Sequence, residues 1–538
     1  MIESAFNLLR PLLKAALRPI TSRFIDDLRN SRATQGNLLN ELTGKLAATE
    51  YGQSLRVKAG DDYSAFAAKV PIVSHDDINC WIERQISEES NILTADTVLF
   101  YEKTSGSSGK SKLIPYTSAL KASFNRMFLI WLSDLLSHGP ELKTGKLFIS
   151  ISPAFQDAEI TARGVRVGLE DDSEYLSKWA RALLKPFLVA PSEIRKLHDP
   201  DDFKHVLSAL LIAESRLETV SVWNPTFLEI LLDYALKNVD ALSEDLKRGV
   251  VSRAGLSFKF EPVINHRLMI LRGGSIDWTA LWPELKLISC WTSANAQRSA
   301  SRLSKRFPDV FIQGKGLLAT EAPITMPLVE AEGFVPLPSE VFYEFLDDNN
   351  QILRMHELEV EGEYEIILTQ KGGLWRYRTG DRVRVTHFYE GASCLEFTGR
   401  SDAVCDLVGE KLNESFASEQ IERLAPECEF YILLPVAHET GACHYLLIVD
   451  CLNTSTDLLE DKLDKALCEA YYYRNARMFG QLDTVRVQVV SGVSVIYYDY
   501  FIEKGMQAGN VKHEHLIRKI EDATGLIKKM RLKVITKP

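Results

Sequence analysis

The segment Thr104-Ser-Gly-Ser-Ser-Gly-Lys-Ser-Lys112 constrains this chain more than any other. Glycines at 106 and 109 free the backbone to take left-handed conformations and to pass close to a ligand. Successive amides, the hydroxyls of Ser105, Ser107 and Ser108, and the ammonium of Lys112 then form a cradle for a polyphosphate around Gly106 and Gly109. Thr97–Phe100 reads as a short strand before the segment. After it, Thr117 or Ser118 caps the clearest helix in the chain, where Leu120, Phe124, Met127, Phe128, Trp131, Leu132, Leu135 and Leu136 recur at helical spacing up to Gly139-Pro140. A polar surface loop is the common meaning of a Gly/Ser/Lys run, but a strand before it and a helix after it is where phosphate loops work.

Gly106 to Ser111 imitates the end of a Walker A loop, and the apolar run Tyr445–Asp450 imitates a Walker B strand. Two residues rather than four separate the glycines, and Thr104 stands where the first glycine belongs. Loop length sets the curvature around a phosphate, so the segment fails as a P-loop, and a P-loop NTPase is a less favoured alternative.

Composition narrows the field. Of 538 residues, 46% are hydrophobic and 25% charged, which is globular and excludes fibrous or largely disordered chains. With 63 Lys+Arg against 73 Asp+Glu the formal charge is −10, so dedicated nucleic-acid binding is disfavoured. No apolar run approaches the ~18–20 residues that span a bilayer. Met1–Ile20 is amphipathic rather than secretory, since Arg10, Pro11, Lys14 and Arg18 interrupt it. Eight cysteines without a CxxC pair suit reduced cytoplasmic thiols with no disulfide framework or zinc ribbon, and eleven histidines supply no HExxH. The expectation is a cytoplasmic protein working on small molecules as a monomer, with no membrane or nucleic-acid partner.

Helices are expected over about 3–50. Val220–Trp223 reads as a strand running into Asn224-Pro225, a cap followed by proline at the first helical position. Strand-like runs follow at Leu285–Trp291, Val310–Gln313, Glu365–Thr369, Val383–Thr386 and Leu395–Thr398. Past Gly399-Arg400 the pattern changes: strands Phe430–Leu434, Tyr445–Val449 and Val485–Val490, one long helix over about Leu458–Phe479, and a last helix near Val495–Met506. The fold class is α/β: a large domain over 1–401, with sheets flanked by helices plus a barrel-like β part, and a small α+β domain over 402–538.

Three further segments stand in a telling order: Gly316-Leu-Leu-Ala-Thr320-Glu321, Tyr377-Arg-Thr-Gly-Asp381 and Gly399-Arg-Ser-Asp402. Singly each is weak: a surface dipeptide, a turn, a solvated pair. Together with the serine/glycine loop preceded by Tyr101, they resemble the motif series of the adenylating acyl-ligase (firefly-luciferase-like) superfamily. Val70-Pro-Ile72, Lys112-Leu-Ile-Pro-Tyr-Thr117, Trp223-Asn-Pro-Thr226, Leu285–Thr292, Glu344-Phe345, the Asp381-Arg-Val-Arg-Val block and His444-Tyr445 narrow the likeness. Nearly the whole chain resembles the auxin-responsive Gretchen Hagen acyl acid–amido synthetases, as a bacterial-type member. One residue fewer inside the phosphate loop departs from the plant pattern.

That resemblance implies an enzyme that adenylates a carboxylic acid with ATP and Mg²⁺ and passes the acyl group to an amine, normally an amino acid. It implies that Ser105, Gly106, Ser107, Ser108, Gly109, Thr320 and Lys112 meet the phosphates and that Glu321 holds Mg²⁺. Thr292 and Ser293 lie at the base, Asp381 holds the ribose with Arg400 close by, and Asp402 is the hinge of the mobile small domain. Arg378 either pairs with Asp381 or reaches the nucleotide. Lys512 is matched by position to the catalytic lysine near the C-terminus, with Lys504, Lys528 and Lys529 as competitors; Lys411 lies near the hinge in an unusual context. Phe155, Trp223 and Phe227 are candidates for the acid pocket. The alternatives are an adenylating ligase serving a thiol or alcohol, and a non-catalytic adenylate-binding protein.

Overall fold

The computed structural model describes residues 2–88, 91–103, 112–151, 159–168, 182, 184–274, 276–293, 296–347, 349–400, 404–428, 430–438, 442–504 and 514–531. The backbone divides into two compact units, the larger comprising Met1–Thr104 and Leu113–Ser401 and the smaller built on Asp402–Pro538. Among the described residues no helix is long and apolar enough to cross a membrane.

The larger unit opens with helices Ile2–Arg29 and Ser31–Ala47. Strands Val98–Lys103 and Leu113–Thr117 then pair antiparallel, so that Lys103 stands opposite Leu113 and the phosphate-loop segment leaves and rejoins at one end of a hairpin. The hairpin is joined to the helix after it by an aromatic series: Phe100 stacks on Tyr116 at 4.7 Å, and Tyr116 on Phe124 at 5.8 Å. That helix is Ser118–His138, and the Thr117 hydroxyl accepts the Leu120 amide at 3.2 Å, as a capping threonine should. It stops at Gly139, where a Cβ would press to 2.5 Å from the Leu135 carbonyl oxygen.

Two sheets carry the rest. In the first, Leu147–Ile149, Thr219–Ser221, Leu287–Ser289 and Phe311–Gln313 run parallel, with Thr219–Ser221 and Leu287–Ser289 in the middle. The two middle strands are buried at every position, as inner strands of a parallel sheet are; helix Pro225–Lys237, which follows Thr219–Ser221, begins as expected with Asn224 as cap and proline first. The second is antiparallel, in the order Ile352–Arg354, Val341–Leu346, Glu363–Gln370, Tyr377–Tyr389 and Ala392–Arg400. Its inner face shares one core with the N-terminal helices and Ser118–His138, joining Leu28, Leu42, Phe124, Phe345, Ile366 and Val383.

The smaller unit is a three-stranded sheet of Tyr431–Val436, His444–Val449 and Arg486–Val489, the first pair antiparallel and the second parallel. The runs YILLPV and HYLLIV are buried at every position, His444 included, because both faces are covered. Leu433, Tyr445 and Leu447 pack with Phe416, Leu459 and Leu463, while Ile432, Leu446 and Ile448 pack with Val493, Ala523 and Leu526 on the other face. The single helix expected over Leu458–Phe479 is two, Thr456–Leu467 and Tyr471–Met478. The bend lets the second fold back over the first. Arg477 donates from Nε and Nη2 to Asp464 at 2.9 Å each, and the Tyr473 hydroxyl donates to the same carboxylate at 3.0 Å. A further helix, Ile520–Lys529, closes the lower face and was not foreseen.

Candidate active site

In an open sheet of parallel strands the carboxyl edge is where ligands bind, because the strand ends part there and the backbone beyond them is free to turn. Here the ladder extends past the strands: the Val222 amide donates to Ser289 at 2.9 Å, Cys290 to Gln313 at 3.0 Å and Trp291 to Trp223 at 2.8 Å. Trp291-Thr292-Ser293 therefore leaves the sheet at its carboxyl edge, with the Trp223 and Trp291 rings 5.9 Å apart. Thr292 lies against Gly314, where a Cβ would come 2.6 Å from Thr292 Oγ1 and 2.5 Å from the Phe334 ring, so only glycine fits. Thr292, Ser293 and Trp223 are half-buried; Phe227, on the following helix, is buried. Cys290 at this edge is no nucleophile, since burial pushes its thiol up to about 12 despite nearby Lys315.

Lys315 is the residue that sequence reasoning missed. Its Nζ lies 2.7 Å from Ser221 Oγ and 4.8 Å from the centroid of the Trp223 ring. A half-buried ammonium is thereby held over the carboxyl edge by a hydroxyl and an aromatic face. The signal was a lysine between two glycines, immediately ahead of the Gly316 motif.

The Thr320-Glu321 pair, read alone as a surface dipeptide, sits at the tip of a built hairpin. Gly316 turns the chain at φ 73°. Ile324 and Thr325 donate back to the Leu317 carbonyl at 3.1 and 3.0 Å, and Ala319 and Ala322 exchange amide bonds at 3.2 Å. Thr320 and Glu321 are the two residues between them. The hydroxyl of buried Tyr116 donates to the Thr320 carbonyl at 2.6 Å. Tyr116 belongs to the strand that rejoins the chain after the phosphate loop, so one bond ties two motifs 204 residues apart. Lys112, half-buried, immediately precedes that strand.

Tyr377–Asp381 lies within a strand rather than at a turn. Arg376, just ahead of it at φ 45°, is buried and clamps the strand. Its guanidinium meets Glu344 with two bonds of 2.7 and 2.8 Å and donates to the Val70 and Ala67 carbonyls at 2.8 and 3.0 Å. The Val73 amide donates to the Arg376 carbonyl and the Arg378 amide to that of Val73, at 3.1 and 2.8 Å. The patterns around Val70 and Glu344 thus serve to hold this strand. Arg378 gives Glu365 two bonds of 2.5 and 2.7 Å. Asp381 is buried, and the ladder sets it opposite Arg400.

Past the expected hinge, strands Val404–Cys405 and Leu412–Asn413 pair around a loop organised by Glu410. Its buried carboxylate accepts the Leu407 and Val408 amides at 2.7 and 2.8 Å and the Tyr445 hydroxyl. Burial, with Asp406 nearby, pushes Glu410 up to about 7 against those bonds. Of the C-terminal lysines, Lys504 pairs with Asp522 and Lys529 with Glu503. Just beyond Lys512 the chain is anchored: the Glu514 amide donates to the Tyr497 hydroxyl at 3.0 Å, His515 to Glu414 at 2.6 Å, and Leu433 to the His515 carbonyl at 2.7 Å. Ser105, Gly106, Ser107, Ser108, Gly109, Phe155, Asp402, Lys512 and the side chain of Arg400 lie outside the described residues.

The fold is that of the adenylate-forming ligases. Over 95% of both chains it matches the structure titled AtGH3.15 acyl acid amido synthetase in complex with 2,4-DB, with a TM-score of 0.64 at 18% identity. It matches 2-hydroxyisobutyryl-CoA ligase over 93% of this chain and 92% of that one, with a TM-score of 0.54 at 11% identity. Family models for the GH3 family N-terminal, central and C-terminal domains match residues 20–312, 334–400 and 410–521. The chain belongs to the GH3 family. Indole-3-acetic acid-amido synthetase GH3.8 of Oryza sativa subsp. indica is 23% identical over 550 residues, covering 91% of this chain and 89% of the relative.

Proposed function

We propose that this chain joins a small carboxylic acid to an amino acid through an acyl-adenylate. Membership of the GH3 family over nearly the whole chain carries this reading. In the first half-reaction a carboxylate oxygen attacks the α-phosphorus of ATP, the bond to the bridging oxygen breaks, and pyrophosphate leaves. In the second the amine attacks the acyl carbon, the carbon–oxygen bond to AMP breaks, and the ammonium proton is lost.

The obstacle in the first step is an anion approaching a polyanion, so cations and fixed donors are what the protein must supply. The loop Ser105–Gly109, Lys112 and Thr320 take the phosphates, and Lys315 adds a cation at the carboxyl edge. Thr292 and Ser293 meet the base, and Asp381 with Arg400 the ribose. Glu321 is the residue to hold Mg²⁺: a carboxylate on a hairpin tip, completed by phosphate and water oxygens, is the hard donor set that ion takes. When bound, Mg²⁺ neutralises phosphate charge. Trp223, Phe155 and Phe227 belong to the acid pocket. Residues 1–401 bind ATP and acid, and 402–538 close over them about Asp402, bringing Lys512 to the reacting oxygens. The ion pairs of Lys504 and Lys529 favour Lys512 for that role. The shorter phosphate loop supports a bacterial-type member, and the setting is a monomer in the cytoplasm.

An acceptor screen read by mass spectrometry tests the second half-reaction. Amino acids should yield an amide and AMP, and Lys512→Ala should slow it without unfolding the protein. A thioester with coenzyme A and no amide with any amino acid would overturn the reading.

A further inference from the structure

Beyond the last ladder pair of the small unit's sheet, Tyr431 with Val449, the two strands stay joined by the Asp450 amide donating to the Phe430 carbonyl at 3.1 Å. Immediately past this bond the chain brings together Cys428, Asp450 and Cys451. The two sulfurs and a carboxylate oxygen all lie within 4.8 Å of one another. Cys428 Sγ is 2.7 Å from the Cys451 carbonyl oxygen, and Cys451 Sγ is 3.2 Å from that of Glu427. Neither cysteine is in a disulfide. Asp450 Oδ1 is buried and accepts no hydrogen bond, an expensive state for a carboxylate oxygen. Both sides of the cluster are fixed: the Cys428 amide donates to Ala425 at 3.1 Å, and the Asn453 amide to the Glu427 carboxylate at 2.7 Å. Cys451 is exposed, so solvent reaches the site.

We propose that Cys428, Cys451 and Asp450 bind a thiophilic divalent cation of the zinc class, with water as the fourth ligand. Two sulfurs exclude Mg²⁺ and Ca²⁺, which take oxygen, and favour a tetrahedral d¹⁰ ion. With Zn–S near 2.3 Å, tetrahedral thiolates stand about 3.8 Å apart, within the observed spread. Binding replaces two S–H bonds by two metal–sulfur bonds and releases two protons, and the thiol hydrogens now directed at main-chain carbonyls are the ones given up. The ion would clip the turn after helix Glu414–Leu424 to the end of the His444–Val449 strand. The ligands escaped motif reading because Cys428 and Cys451 are 23 residues apart and only strand pairing unites them.

The test is titration of the reduced full-length protein with Co²⁺, then Zn²⁺. One equivalent of Co²⁺ should give a thiolate-to-cobalt charge-transfer band with tetrahedral d–d absorption, bleached by one equivalent of Zn²⁺. Cys428→Ser and Cys451→Ser should abolish the band, and Cys80→Ser, at an exposed thiol elsewhere, should leave it. Outer-shell partners of metal sites cost roughly 10–100-fold in affinity, so Asp450→Asn, a direct ligand, should cost at least roughly tenfold. Should Cys428→Ser not fold, the exposed Cys451→Ser carries the test alone. Absence of the band in the wild type, its persistence in Cys451→Ser, or a Cys428–Cys451 disulfide forming in place of metal binding would each overturn the proposal.

Discussion

Glu344→Gln puts the packing of the Tyr377–Asp381 strand under direct test. The Glu344 and Arg376 side chains are 1% and 4% exposed, so the pair lives out of water. Arg376 satisfies itself with four bonds, two to the carboxylate and two to main-chain carbonyls of residues 67 and 70. Glutamine keeps the shape and one acceptor, but its amide group faces a guanidinium N–H and the positive charge stays buried without its counter-ion. Removing one partner of a buried pair costs about 3–5 kcal/mol; with one acceptor retained, the low end, about 3 kcal/mol, applies. In a unit this large each kcal/mol lowers Tm by about 2 °C, giving a fall of roughly 6 °C in scanning calorimetry. Arg376→Met, which also strips two carbonyls, should cost at least as much. A Glu344→Gln protein that melts within about 1 °C of wild type would refute the claim that this ion pair holds the strand.

Three other outcomes follow from single groups. Tyr116→Phe leaves the Thr320 carbonyl without its buried donor and should lower kcat/KM for ATP–pyrophosphate exchange by about 1–2 kcal/mol, roughly 5–30-fold, with a smaller loss in overall stability; unchanged exchange would detach the hairpin from catalysis. Lys315→Met should lower the same constant at least tenfold while the fold, read by circular dichroism, is kept; wild-type kinetics would remove Lys315 from the phosphate site. Glu410, near 7 in the folded chain against an ordinary value of 4.5, keeps its proton after the unfolded chain has lost it. Stability therefore falls as pH rises from about 4.5 to about 7, by up to about 3 kcal/mol, and is level above that. Glu410→Gln should flatten this slope in denaturant titrations at pH 5 and pH 7.5, and an unaltered slope would show that another group titrates.

What the sequence made legible was whatever is local. The Thr117 cap, the Asn224-Pro225 start and the alternation of strands and helices are set by neighbours within a few residues, and the structure bears them out. The break after Leu467 was hidden because Cys468-Glu-Ala470 carries no glycine or proline, and the bend is set by Asp464 reaching Tyr473 and Arg477 across it. The motif residues Thr320, Glu321 and Asp381 were visible as a series, yet their settings were not. A hairpin tip tethered by Tyr116 and a strand clamped by Arg376 depend on partners 204 and 306 residues away. Lys315 and the Cys428–Cys451 cluster went unseen for the same reason: each is made by strands that meet only in the folded chain.

Carboxylate-dependent exchange of labelled pyrophosphate into ATP, run over a panel of aromatic and aliphatic acids with Glu321→Ala alongside, bears most directly on the acyl-adenylate. Label should enter ATP only when a suitable acid is present, and should be nearly lost in the variant. ATP cleaved to ADP and phosphate, or no exchange with any acid by a protein that binds ATP, would contradict it.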